Sequence, residues 1–242
     1  MTMKYAGIAL IAGVVLAFVA PVFMPGYALI YPVDQTDFAA ARDALGDAPV
    51  LAHWVNFITL ISLLLMISAF LGLYSLAGRQ GGIGGKLLRF GIIASIIEWS
   101  ILIIASGMRH FVIHLMQRSE LGEGSPSPAE FEAAALGVHT DMIAVTLAFV
   151  ALYPLASISV GLGLSFRFAS MDVYKGAAYV MAAAGLVGLA NFLFGMSAPS
   201  LGIQSLLLVN NLALYVGGIT FIVIGYGMYR GRAEFAEEDS SG

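Results

Sequence analysis

The length of its apolar runs limits this chain more than any other feature. Six blocks of mostly apolar residues follow one another along the sequence. A hydrocarbon layer about 30 Å thick takes about twenty residues at helical rise, so each block reads as a transmembrane helix. Composition agrees: 60% of residues are hydrophobic and 11% charged, too few charges to clothe a soluble domain of 242 residues. Alternation with a period of two is absent, which argues against a membrane β-barrel. The expected class is therefore all-α, a polytopic membrane protein with six spans at about 5–24, 48–77, 87–116, 137–166, 173–196 and 204–229. Together they form a single domain over 1–232, followed by a charged tail, 233–242, expected to fray. Cysteine is absent. That removes disulfides, thiolate metal sites, iron–sulfur clusters and cysteine nucleophiles together.

Boundary signals divide the chain. Pro25 and Gly26 stop the first span, which reads as a retained helix although its start is signal-peptide-like. The stretch DQTDFAAARDALGD predicts a short amphipathic helix, capped by Asp34 or Thr36 and ended by Gly46. Asp47 caps the next helix, with Pro49 in its first turn. GRQGGIGGK links the second and third spans; no strand precedes it, so it is not a phosphate loop. Ser127-Pro128-Ala129-Glu130 is a capping box, which predicts a helix beginning at Pro128, well before its apolar part. Pro154 lies inside that helix. Ser157/Gly161, Ala184/Gly188 and Gly217-Gly218 are small-residue pairs that let helix backbones approach.

Charge orients the bundle. One side carries Lys4, Arg79, Lys86, Arg89, Arg167, Lys175, Arg230 and Arg232; the other carries only Arg42, Arg109 and Arg118. By the positive-inside rule both termini face the cytoplasm. The outer side is acidic, with Asp34, Asp37, Asp43, Asp47, Glu120, Glu123, Glu130, Glu132 and Asp141. An acidic outside and no basic groove argue against nucleic acid as a partner.

All four histidines fall on that outer side. His110 lies twenty-one residues past Arg89, about 31 Å along a helix, and His114 one turn further. The i, i+4 spacing sends both imidazoles off one helix face. His53 and His139 sit near the outer starts of the second and fourth spans. Imidazole is a common ligand for haem iron, copper and zinc. A haem b would take one imidazole from each of two helices, with Arg109 and Arg118 for its propionates and Gly107 leaving room. Copper or zinc would use His110 and His114, with His53 or His139 as third ligand and Asp141 nearby. The structural alternative is interfacial histidines whose polar tips meet water. Glu98 falls near the bilayer middle. It is a candidate for proton relay or a quinone site, or else a helix-to-helix hydrogen bond to Asn191, Asn210 or Asn211. Trp54 reads as an interfacial anchor and Trp99 as a packing residue.

The pattern of apolar helices carrying histidines resembles membrane cytochrome b anchors in architecture. Those place haems at two depths, whereas here every histidine lies at one. Three functions follow as expectations. The first is a redox subunit binding haem b, or less readily copper, at the outer face of a prokaryotic cytoplasmic membrane, passing electrons between a quinone and an external partner or serving a larger membrane oxidoreductase with other membrane subunits. The second is a cofactor-free accessory subunit. The third is a small transporter, which gains nothing from internal repeats because none is visible. A retinal pigment is excluded, since Lys4, Lys86 and Lys175 all sit at span ends, and no hydrolase motif is present.

Overall fold

The computed structural model describes residues 2–122, 126–198 and 202–236. Glu123 and the last six residues of the tail lie outside them. Among the described residues the chain is all-helical, with no strand: α1 (Met3–Val19), a 3-10 turn (Ala20–Phe23), α2 (Phe38–Asp47), α3 (Pro49–Arg79), α4 (Gly82–Glu120), α5 (Pro128–Ser165), α6 (Val173–Ser197), α7 (Gly202–Tyr229) and a second 3-10 turn (Ala233–Phe235). Six of these helices are long and apolar enough to cross a membrane. The protein is an integral membrane protein, and lipid surrounds the helices.

Local chemistry explains the ends. Ser127 donates its backbone N–H and its hydroxyl to Glu130 Oε2 at 2.7 and 2.8 Å, closing the expected capping box at α5. The α2 cap is Asp37, whose carboxylate accepts from Ala40 N–H. It is neither of the two residues expected. Asp34 instead accepts from the amide and hydroxyl of Thr36 in a local turn, and those bonds hold its carboxyl below the usual range. Asp47 is the last residue of α2 and does not cap α3. The glycine-rich linker shrinks to Gln80 and Gly81, because α4 begins at Gly82, whose φ of +67° turns the chain.

The chain forms two compact units. The first comprises Met1–Val15, Leu64–Trp99 and Val150–Gly242; the second comprises Leu16–Leu63 and Ser100–Phe149. In the first unit, helices meet backbone to backbone. A Cβ on Gly161 of α5 would lie 2.5 Å from Ala178 O of α6, and one on Gly7 of α1 would lie 2.5 Å from Gly225 O of α7. Only glycine permits such approach. The pairing expected around Ser157/Gly161 therefore has its partner in Ala178 and Ala182. Here too residues 232–236 are docked; the rest of the tail expected to fray, 237–242, lies outside the described residues. Phe235 is 1% exposed and edge-on to Phe168, and Arg232 forks onto Glu234 and pairs with Asp172 at 2.8 Å. One apolar ring among the tail's charges supplies the anchor.

In the second unit the core gathers Met24, Leu45, Ala52, Val55, Val112, Ile113 and Met116, with Phe131 and Val138 against it. The short helix α2 buries Ala41, Ala44, Leu45 and Gly46, and Gly46 faces Met116 of α4. Arg42 donates to Glu132 O at 3.1 Å, tying α2 to α5. Trp54 is 62% exposed beside Phe57, as an interfacial anchor would be, while Trp99 in the first unit is buried.

Candidate functional site

The second unit brings together two of the four histidines. His53 of α3 and His110 of α4 lie Nδ1 to Nδ1 at 2.9 Å, with ring planes 18° apart and centroids 5.2 Å apart. His53 Nε2–H donates to Gln117 Oε1 at 3.2 Å. With that proton on Nε2, a neutral His53 offers Nδ1 as acceptor, so His110 Nδ1–H is the donor between the rings. The result is a chain, His110 to His53 to Gln117, both rings half-buried. One turn along α3, the buried Asn56 donates to Ser106 O of α4 at 2.7 Å. Ser106 is four residues before His110, so this bond sets the register in which the two rings meet.

The remaining predicted residues are distributed differently. His114 is exposed and does not join the pair. An i, i+4 step turns a helix by about 40° beyond one full turn, enough to carry the second ring to the surface. Gln117, seven residues after His110, returns to the same face. Asp141 is exposed as well. Arg118 lies over the Phe131 ring at 5.5 Å. Arg109 donates to Tyr27 Oη at 2.9 Å and stacks on that ring. Its Nε is buried without a hydrogen-bond partner. His139 is 2% exposed, tilted against Phe38 at 6.4 Å, and neither ring nitrogen has a partner.

A porphyrin iron held between two imidazoles separates their nitrogens by about 4 Å, with a flat macrocycle in the gap. The 2.9 Å contact leaves no such gap, so a haem b held by His53 and His110 would need the two rings to part. Among the described residues, no group of three or more histidine, aspartate and glutamate side chains is set to hold a metal ion. What the pair can do is share and pass a proton, because each ring presents a donor or an acceptor to the other.

Glu98 belongs to the first unit. It is 2% exposed, and its Oε2 has no hydrogen-bond partner. Asn191, one of its expected partners, donates instead to Leu206 O at 2.9 Å. Its electrostatic neighbour is Tyr153, whose hydroxyl donates to Ala213 O at 3.0 Å. The sequence reading missed Tyr27, Asn56, Ser106, Gln117 and Tyr153. Spacing could have found three of them: Asn56 at i+3 from His53, and Ser106 and Gln117 at i−4 and i+7 from His110. No family model, curated protein or solved structure matches this chain.

Proposed function

We propose that this is a subunit of a larger membrane assembly whose His53–His110 pair exchanges protons at the outer face. In this reading the membrane is a prokaryotic cytoplasmic membrane and both termini are cytoplasmic. The 2.9 Å contact between Nδ1 atoms carries the reading. Ionisable side chains inside membrane bundles are costly and mark proton or ion paths. A neutral imidazole pair with one hydrogen bond between its rings can accept a proton on one ring and release it from the other. Gln117 fixes the tautomer and Asn56 the register. The orientation rests on the eight-to-three division of cations between the two sides.

Proton uptake measured by indicator dye on the purified protein, between about pH 8 and pH 5, tests this. Either ring alone can still take up one proton, so His53→Asn and His110→Asn are each expected to lose little, and the double variant is expected to lose the whole step. Independent, additive losses would sink the shared-proton reading. The redox alternative, with haem b serving quinone chemistry, finds support in two near-parallel imidazoles on separate helices, yet needs those rings to part. An absorption spectrum decides it. A Soret band abolished by either substitution would restore the haem; a colourless, metal-free protein is the expected result.

A further inference from the structure

A second polar centre in the same unit has unmet hydrogen-bonding capacity and an unmatched positive charge. Arg109 has no carboxylate partner among the described residues; its only polar contact is the neutral Tyr27 hydroxyl. Its Nε–H is buried and unpaired. His139 is buried with both nitrogens unpaired. Arg118 of α4 lies over Phe131 of α5, and Val138 packs against the core that holds Val112 and Ile113. Arg109, a turn before Val112, and His139, beside Val138, therefore fall at one level of these neighbouring helices. The charges acting on the His139 ring are those of Arg109 and Arg42. Arg42 is matched by Asp43 at 2.5 Å, which leaves Arg109 as the uncompensated cation. A half-buried guanidinium without an anion is costly, as is a buried donor without an acceptor. Both costs are relieved by one group: an oxyanion accepting from Arg109 Nε–H and from an imidazole N–H, which a neutral histidine always has one of.

We propose that Arg109 and His139 bind a small oxyanion, a carboxylate or phosphate, held in the second unit by one guanidinium and one imidazole donor. The proposal does not depend on proton exchange at His53 and His110. Arg42 adds positive potential, and Tyr27 orients Arg109 by accepting from its Nη2.

The test uses the full-length protein in a neutral detergent. Its thermal midpoint is followed as inorganic phosphate, and separately acetate, is added at ionic strength held constant with sodium chloride. A saturable rise is expected. Arg109→Lys keeps the charge but removes the Nε–H, and should weaken the apparent affinity about tenfold or more. His139→Asn should weaken it as well, while Arg79→Gln, at the end of α3 in the other unit, should leave it unchanged. Helicity and a monodisperse elution profile screen each variant for folding. The same titration in nanodiscs separates the sources. If phosphatidylglycerol raises the midpoint over phosphatidylcholine and abolishes the phosphate response, the anion is a lipid headgroup; if phosphate acts in both, it is a free solute. No anion dependence, as a bridging water would give, overturns the proposal. So does an equal response in Arg109→Lys and wild type.

Discussion

The two units are closed by different means. In the first, glycine lets backbones touch: Gly7 meets Gly225, Gly91 meets Val160, Gly161 meets Ala178 and Gly163 meets Leu88. In the second, side chains make the ties: His53 to His110, Asn56 to Ser106, Arg42 to Glu132 and Arg109 to Tyr27. Its glycines are not squeezed in the same way. Gly46 faces the flexible Met116, and a Cβ on Gly107 or Gly137 would meet nothing within 4 Å. Backbone contact of the first kind resists any repositioning, because bulk cannot be accommodated. Polar side-chain ties can exchange partners and protons at modest cost. The contrast matches chemistry to tolerance: the paired imidazoles lie in the unit held by exchangeable bonds.

One substitution made in both units should separate them most widely. Gly161→Ala sets a methyl 2.5 Å from a backbone oxygen and should cost about 2–3 kcal/mol in detergent unfolding. Gly107→Ala, facing open space, should be neutral or stabilise by up to about 1 kcal/mol through helix propensity. Equal effects would erase the distinction. Next in size is His110→Ala, which strands His53 Nδ1 and should cost about 1–2 kcal/mol. His114→Ala, one turn on and exposed, should have no measurable effect in the same assay. Glu98→Gln sharpens the comparison from the other side. Because Oε2 has no partner to lose, unfolding should shift by less than about 1 kcal/mol. A larger loss would add Glu98 to the polar ties of the first unit, such as Tyr153 to Ala213 and Asn191 to Leu206, that stand beside its glycine contacts.

The smallest effect expected is on pH. Backbone N–H bonds from Lys175, with Arg232 alongside, hold Asp172 below the usual carboxylate range, and Arg232 does the same for Glu234. Groups depressed in the folded state add stability above their unfolded values, and that contribution disappears as they are protonated. Docking of residues 232–236 should therefore be complete at neutral pH and weaken below about pH 4. Limited proteolysis after α7 reads this out, and Asp172→Asn should move the onset of cleavage upward in pH.

Much of the fold is legible in the sequence because its signals are local. Apolar length marks the six spanning helices, and Ser127 with Glu130 marks the start of α5 at Pro128. What is not legible depends on rotation about helix axes. His110 and His114 share a nominal face, yet a 40° offset leaves one ring paired and the other exposed. Packing of Val112, Ile113 and Met116 into the core of the second unit fixes that rotation. Only neighbouring helices could have told which of the two residues would turn inward. The α2 cap escaped for a different reason: Asp34, Thr36 and Asp37 are all competent caps, and a turn between the first two left the third free to bond Ala40. The docking of residues 233–236 escaped because one aromatic among charges carries almost no periodic signal.

That fastening has a mechanical consequence. Arg232 clasps Asp172 and lies over the Tyr174 ring at 4.4 Å, so the chain leaving α7 is strapped to the residues that begin α6. A pull applied to the carboxyl end would load that clasp before it loads the last helix. A fusion partner joined beyond residue 236 would hang from a held point, and α7 would be spared its drag.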